Sequence, residues 1–371
     1  MKIVWLSDTD VSGSGYRNLS IPLCEGLAKL GHDVKIVGLG YKGEQHDFPF
    51  SIIPATTFQE GHACITNLDN LWQFDVLIVA LDIPLQEQFL YKLQNRRYKY
   101  VGIMPLEADP LCMSWAMVLM MMDKALIISE FGTEEAKGAG VPAVHLPIGI
   151  DTTVWRPPFP EEYTQLRTSF GFDEDTFVIL TVADNQERKY LSAAFEIVGN
   201  FCKEFPNTKY ILVTREHLTI GWKLRDLAQS FGLNNNLMVF ERGMKFPDLW
   251  ALYAMADTML LTSKAEGLSL PVLEAMSMKI PVIATNCTGM RELLSEDRGY
   301  LVGFDYIYID PFGNGRRYYI DRGEALTTLK HVHSVYRTEP KTNKAYKFAQ
   351  KRTWNKSVLI LDEQLKGLVA K

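Results

Sequence analysis

Short apolar runs alternate with segments of helical period along most of the chain, and no other feature constrains the fold as strongly. Residues 2–6, 34–37 and 76–79 are mostly apolar, which is typical of strands that are buried on both faces. Residues 19–30 carry apolar side chains at helical spacing and end before Gly31, a common helix C-cap. Buried strands joined by helices form parallel sheets, so the pattern predicts an α/β fold with doubly wound sheets.

A proline-rich segment interrupts this alternation near the middle of the chain. Five prolines lie between positions 142 and 160, and neither a helical nor a strand period crosses them. The alternation restarts at residues 178–182, and a chain of 371 residues is long enough for two domains with separate cores. We therefore predict one Rossmann-like domain over residues 1–155, a second over residues 156–345, and a C-terminal helix over residues 346–371.

Composition narrows the range of partners and locations. A formal net charge of −5 gives no general attraction to nucleic acid, so no nucleic-acid partner is expected. Five scattered cysteines without a C-x-x-C pair, and the lack of an apolar run of membrane-spanning length, favour a cytoplasmic protein. A local basic patch is compatible with this charge, so peripheral contact with a membrane is left open.

Two short motifs have ordinary explanations. Residues 38–43 fit G-x-G-x-x-G, but prolines at 49 and 54 and the lack of a helical period favour a surface loop over a dinucleotide-binding turn. Asp8 and Asp10 form a D-x-D pair at the end of the first predicted strand. With no third carboxylate nearby, this pair makes a weak metal site, and we expect no bound metal.

The segment KAEGLSLPVLEAM at residues 264–276 carries the strongest chemical signal. A predicted strand at 259–261 leads into a loop of small residues, and Pro271 stands near a helix start. Glu266 lies in the loop and Glu274 lies about one turn inside the helix, so the two carboxylates could accept hydrogen bonds from hydroxyls at two ends of one polyhydroxylated ligand. An acid in a solvated loop and another favoured by the helix dipole explain the spacing equally well.

The same segment resembles the donor-binding signature of family 4 GT-B glycosyltransferases, which has the form E-x7-E with an interior G-x-x-L-P and a trailing E-A-M. The resemblance implies that Glu274 binds the ribose of the nucleotide, while Glu266 and the backbone N–H groups of the loop hold the transferring sugar. Those N–H groups belong to Gly267, Leu268, Ser269 and Leu270. Family members commonly read E-G-F-G-L-P, so Leu268 and Ser269 depart from the family pattern.

A second segment, residues 182–189, matches the phosphate-binding loop of the same family. It follows a predicted strand, contains Asn185, and ends in Arg188 and Lys189, which the resemblance pairs with a diphosphate. The common V-G-R beginning is V-A-D here, so Asp184 stands where the family has arginine and Arg188 is expected to replace it. Two solvated cations at a helix start are the alternative, which the helix dipole disfavours.

Weaker matches assign the remaining site residues. The resemblance makes residues 1–155 the acceptor-side domain and residues 156–345 the donor domain, and it implies that the C-terminal helix packs back on the first. Gly13 and Gly15 resemble the first loop of the N-terminal domain, whose backbone the resemblance brings close to the donor phosphate or the acceptor. Met244 is placed near the base or in the core. Asp10 is assigned to the acceptor side.

Two segments depart from the family. Many relatives carry a histidine in the N-terminal domain where this chain has Glu107 and Asp109, so either carboxylate is a candidate for positioning the acceptor or accepting its proton. A surface loop explains both acids nearly as well. Residues 304–322 have no family counterpart, and an acceptor-shaping insertion, a membrane-facing insertion and a long loop are all open.

The expected function follows from the resemblance. It implies a retaining, metal-independent glycosyltransferase without a cofactor, which takes a UDP- or GDP-linked sugar as donor. The acceptor is a hydroxyl of a glycan, a lipid-linked molecule, a protein or a small molecule. A nucleotide-sugar epimerase, a phosphorylase and a catalytically silent sugar-nucleotide binding protein remain as alternatives.

Overall fold

A computed structural model describes residues 1–310 and 315–370. The chain forms two compact units, Met1–Gly149 with Arg352–Lys371, and Ile150–Lys351. The sequence prediction divided the chain after residue 155 and after residue 345. Part of the predicted 304–322 insertion, residues 311–314, lies outside the described residues.

The first unit is built on a seven-stranded sheet with the order β3-β2-β1-β4-β5-β6-β7, in which all neighbours are parallel. The central strands are apolar and buried because helices cover the sheet on both faces. Its elements in chain order are β1 (Lys2–Asp8), α1 (Gly15–Lys29), β2 (Asp33–Leu39), β3 (Ser51–Ala55), α2 (Phe58–Trp72), β4 (Val76–Ala80), α3 (Ile83–Lys92), β5 (Lys99–Met104), α4 (Met113–Met120), β6 (Lys124–Ile127), α5 (Glu130–Gly138) and β7 (Val144–His145).

The second unit repeats the same topology with six parallel strands in the order β10-β9-β8-β11-β12-β13, and a separate two-stranded sheet pairs β14 with β15. Its elements are α6 (Pro160–Ser169), β8 (Phe177–Val182), α7 (Leu191–Glu204), β9 (Thr208–Thr214), α8 (Leu224–Ser230), β10 (Leu237–Glu241), α9 (Phe246–Ala254), β11 (Thr258–Leu261), α10 (Leu270–Ser277), β12 (Val282–Thr285), α11 (Thr288–Leu294), β13 (Tyr300–Val302), β14 (Phe304–Ile309), β15 (Arg316–Ile320), α12 (Arg322–Val335) and α13 (Lys341–Gln350). Short 3-10 turns cover Glu187–Lys189 and Tyr336–Thr338.

Strand order fixes where a ligand can bind in each unit. In both sheets the chain winds outward in one direction from the first strand and then in the other, so the order reverses between β1 and β4, and between β8 and β11. Loops at the carboxyl ends of the two strands diverge there and leave a crevice, which is where open α/β sheets bind ligands.

The last helix, α14 (Trp354–Val369), belongs to the first unit and packs on α1. Gly26 of α1 makes this possible, because a Cβ at that position would lie 2.2 Å from Val358 Cγ2. His32 and Asp362 add a buried contact of 2.7 Å between Nε2 and Oδ1. The predicted C-terminal helix over residues 346–371 is divided in the structure, since α13 ends at Gln350 and Thr353 caps a new helix by accepting from Lys356 N.

A surface loop was predicted for residues 38–43, and a long loop was one alternative for residues 304–322. No helix begins within residues 38–43, but Gly38 and Leu39 are the buried end of β2, so the predicted surface loop is limited to residues 40–43. The chain beyond it forms edge strand β3, with Pro54 inside it. An edge position tolerates this proline because the missing N–H can face away from the neighbouring strand. In the second segment, β14 (Phe304–Ile309) and β15 (Arg316–Ile320) pair antiparallel, with an irregularity between Phe304 and Tyr306, so its described residues are not a long irregular loop.

Candidate functional site

The candidate site lies at the strand-order reversal of the second unit. β8 and β11 are adjacent in the sheet, so the loops that follow them, residues 183–190 and 262–269, leave the same edge. These are the two loops that the sequence singled out. The two loops are joined by a backbone hydrogen bond from Lys264 N to Arg188 O, at 2.8 Å, and by one from the Thr262 hydroxyl to Lys189 O, at 3.0 Å.

Glu266 is the centre of this site because both predicted phosphate-binding cations contact its carboxylate. Arg188 donates from Nη1 to Glu266 Oε2 at 3.0 Å and to the carbonyl of Ala265 at 3.1 Å. Lys189 Nζ donates to Glu266 Oε1. The structure therefore brings together two cations and a carboxylate that are far apart in sequence, and the cations outnumber the carboxylate.

The electrostatics of Glu266 follow from this pairing. The residue is only 4% exposed, and burial alone would raise its pKa. The charges of Lys189 and Arg188 outweigh burial and hold the pKa at about 2, so Glu266 is ionised throughout the physiological range. Its backbone is fixed as well, since Glu266 N donates to Thr288 Oγ1 at 2.8 Å and Gly289 N donates to Glu266 O at 2.9 Å.

Next to Glu266, the start of α10 presents free donors. Pro271 occupies the first turn, and the first N–H groups of any helix have no partner within the helix. Across residues 1–310 and 315–370, the N–H groups of Gly267, Leu268 and Ser269 donate to no other group. Such a loop and helix start can bind an anion or the hydroxyls of a sugar.

Glu274 lies one turn further along α10 in a different environment. It is 8% exposed, and burial raises its pKa to about 7, although a hydrogen bond donated by the Tyr253 hydroxyl works in the opposite direction. Tyr253 is itself buried against the Trp155 ring, with centroids 5.0 Å apart. The two glutamates of the E-x7-E pattern therefore differ in protonation at neutral pH. Glu274 is suited to accept hydrogen bonds from hydroxyl groups of a ligand.

Asp184, which stands where the family has arginine, gathers two arginines instead. Arg215 follows β9 and donates to both carboxylate oxygens, at 2.8 Å from Nε to Oδ1. Arg242 follows β10, with Nη1 3.1 Å from Oδ2. Partial burial raises the pKa of Asp184, but the two guanidinium groups outweigh it and lower the pKa below its ordinary value. Sequence reasoning gave neither arginine a role in the site, although each directly follows a strand.

Asn185 and Met244 are placed less directly for donor binding. The Asn185 side chain is buried, and its amide forms two hydrogen bonds with the backbone of Trp222, donating to O at 2.9 Å and accepting from N at 2.8 Å. It therefore fixes the loop after β9. Met244 lies in the loop that connects β10 to α9, and it is half-buried. The predicted contacts of both residues with the donor stay predictions.

The remaining predicted residues lie in the first unit, at the carboxyl ends of its strands. Asp10 follows β1 and accepts from Ser12 N at 2.9 Å, Gly13 has a φ of 104° that favours glycine, and Gly15 opens α1. Glu107 and Asp109 follow β5, and Asp109 is buried. Their predicted roles toward the acceptor or the donor stay predictions.

Within residues 1–310 and 315–370, no group of three or more His, Cys, Asp or Glu side chains is arranged to hold a metal ion. None of the helices in that part of the chain combines the length and apolarity needed to cross a membrane.

Comparison with known proteins places this site in a recognisable domain. Residues 162–305 match the family model described as Glycosyl transferases group 1. A protein named as a glycosyltransferase, EpsD, from Bacillus subtilis is 28% identical over 156 residues, which cover 42% of this chain and 40% of that protein. An uncharacterized glycosyltransferase of Methanocaldococcus jannaschii is 31% identical over 144 residues, which cover 38% of this chain and 34% of that protein. The match thus spans less than half of either relative.

A solved structure extends the likeness to the whole fold. HepE from Anabaena, determined in complex with UDP and glucose, superposes with a TM-score of 0.77 over 99% of this chain and 100% of that chain, at 17% identity. The predicted fold class is confirmed, because the chain has the GT-B fold with two Rossmann-like domains. The match to the Glycosyl transferases group 1 model falls within the second unit.

Proposed function

We propose that the protein is a metal-independent, retaining glycosyltransferase that moves a sugar from a nucleoside diphosphate to a hydroxyl acceptor. The observation that carries the proposal is the convergence of Arg188, Lys189 and the start of α10 on one point at the β8–β11 reversal. This is the arrangement that a diphosphate leaving group requires, and residues 162–305 match a glycosyltransferase family model.

Charge development explains the need for these groups. As the bond between the anomeric carbon and the phosphate oxygen breaks, its electron pair stays on the diphosphate, which becomes more negative. Arg188, Lys189 and the N–H groups of Gly267 and Leu268 stabilise that charge. The acceptor oxygen bonds to the anomeric carbon from the same face, and its proton passes to the leaving phosphate, so the configuration is retained.

Glu266 and Glu274 bind different parts of the donor. Glu266 holds the two cations in place before the donor binds, and the diphosphate then shares them, which frees Glu266 oxygens to accept hydrogen bonds from the transferring sugar. Glu274 accepts hydrogen bonds from the ribose, beside Tyr253. Burial of both carboxylates makes each such bond stronger than it would be in water.

Ligand binding tests the proposal directly. A thermal-shift screen of UDP, GDP, UDP-glucose and GDP-mannose, with and without EDTA, should show stabilisation by one nucleotide class that EDTA does not remove. At a hundredfold excess over Kd the ligand adds about 2.7 kcal/mol to the free energy of unfolding. NMR of the product, or of the sugar released by slow hydrolysis, reports whether the anomeric configuration is retained.

A pair of lysine variants makes the test specific. Lys189→Ala should lower transfer or donor hydrolysis about a hundredfold, because it removes a cation from the leaving group. Lys203→Ala is the matched control, since Lys203 lies near the far end of α7 and is exposed, and its ammonium donates a hydrogen bond to Asn200 Oδ1 at 2.8 Å. Equal activity in the two variants would contradict the proposed role of Lys189.

A further inference from the structure

The β14–β15 hairpin exposes an unusual number of large apolar side chains. All six residues of β14 are exposed, and Tyr306 and Tyr308 are 51% and 52% exposed. Cross-strand partners share a face of a sheet, and Tyr306 pairs with Tyr319 while Ile307 pairs with Tyr318. We call the side that carries Tyr306, Tyr308 and Tyr319, with the buried Arg317 opposite Tyr308, the tyrosine face. We call the other side, which carries Ile307, Ile309 and the buried Tyr318, the aliphatic face.

The tyrosine face is held in place by the candidate site. The rings of Tyr306 and Tyr319 stack with centroids 4.2 Å apart and planes at 19°. Lys264 Nζ lies 4.2 Å from the Tyr319 centroid, so Tyr319 is sandwiched between that ammonium and Tyr306. Lys264 is 2% exposed, and its ammonium also contacts Glu187 and the Tyr190 ring, which leaves it little freedom.

Backbone hydrogen bonds also connect the β14–β15 hairpin to the loops of the candidate site. Tyr318 N donates to Lys264 O at 2.9 Å, and Lys264 N donates to Arg188 O at 2.8 Å. The stack of Lys264, Tyr319 and Tyr306 therefore starts beside the cations of the candidate site and ends at the exposed ring of Tyr306. Tyr308 lies two residues further along the strand, roughly 7 Å away. Exposed tyrosine rings thus continue from the loop that carries Glu266, to which the proposed function assigns the transferring sugar.

Rigid, exposed tyrosine rings are suited to carbohydrate. The axial C–H bonds of a pyranose pack against a ring face, and the phenol hydroxyl can hydrogen-bond to the sugar hydroxyls. We propose that the tyrosine face binds sugar residues of an oligosaccharide acceptor, beyond the residue that receives the transferred sugar. The inference rests on the proposed glycosyltransferase function and narrows its acceptor to a glycan chain.

Two matched double variants test this surface. Tyr306→Thr with Tyr308→Thr removes the rings, whereas Ile307→Thr with Ile309→Thr changes the aliphatic face of the same strand and keeps the same β-favouring replacement. Each variant and the wild type are applied to a microarray of defined oligosaccharides and to vesicles containing anionic phospholipid. We expect the wild type to bind oligosaccharides, the tyrosine variant to bind about tenfold more weakly or worse, and the isoleucine variant to bind normally.

Nucleotide binding separates the two proposals. Both variants should keep the thermal shift given by the preferred nucleotide, because neither changes a residue that contacts the cations. If that shift is normal and the wild type binds no glycan, or both variants lose glycan binding equally, the inference fails and the proposed function stands. Vesicle binding that depends on the tyrosines overturns it in favour of a membrane surface. If the wild type gives no nucleotide shift, the proposed function fails, and the tyrosine face is not an acceptor site.

Discussion

Replacing Glu274 by glutamine should make the second unit more stable at high pH. Burial raises the pKa of Glu274 from 4.5 to about 7, which means that the folded protein disfavours the ionised carboxylate. One pKa unit corresponds to about 1.4 kcal/mol, so ionised Glu274 lowers the free energy of unfolding by about 3 kcal/mol. Glutamine has nearly the same shape, can accept the Tyr253 hydrogen bond, and carries no charge.

The sign of the pH dependence is fixed by the raised pKa. Below pH 4.5 the carboxyl is protonated in both the folded and the unfolded chain, so the variant and the wild type should be equally stable. Between pH 4.5 and 7 the unfolded chain loses this proton first, which progressively destabilises the wild type. Above pH 7 the advantage of Glu274→Gln should level off at its full value.

Urea unfolding from pH 4 to pH 9 measures this difference, followed by tryptophan fluorescence because the Trp155 ring packs on Tyr253. Glu174→Gln is the control, since Glu174 lies in an exposed loop and its replacement should give no pH-dependent gain. If glutamine at position 274 destabilises the unit equally at pH 5 and pH 8, burial is not what sets its protonation. On the proposed function, the stabilised variant should also bind the donor more weakly, because it has lost a carboxylate acceptor.

Two further substitutions each test a contact inside one of the units. Asp184→Ala leaves Arg215 and Arg242 side by side without their shared carboxylate, so the free energy of unfolding should fall by about 1–2 kcal/mol, discounted for the exposure of the arginines. Part of that loss should return in high salt, and a loss that salt leaves unchanged would argue against arginine repulsion. Gly149→Ala places a Cβ 2.3 Å from Trp354 N, so hydrogen exchange in α14 should speed up and stability should fall by about 1–3 kcal/mol. Gly138→Ala, whose Cβ would meet nothing within 4 Å, should leave exchange in α14 unchanged.

Much of the fold follows from local patterns in the sequence. Apolar runs such as residues 178–182 predict buried strands, and the proline-rich break predicts two halves, because both signals depend only on neighbouring residues. The E-x7-E segment predicts a loop and a helix start for the same reason, and the structure has both. These patterns do not predict which strands lie side by side, because the apolar pattern of one strand carries no information about its neighbour in the sheet.

Tertiary structure decided that partnership, and with it the site. β8 and β11 became neighbours although three helices and two strands separate them in the sequence, which placed Glu266 on Arg188 and Lys189. Tyr253 met Glu274 in the same way.

The differences between the residues of the E-x7-E pattern also come from folding. Two glutamates of one sequence motif have pKa values of about 2 and about 7, because two cations contact the first, whereas burial dominates at the second. The hairpin that carries Tyr306 and the return of α14 to the first unit depend likewise on contacts between distant residues. The sequence alone determined which residues are available for chemistry, and folding determined their charge, since solvation and Coulomb interactions depend on distance in space.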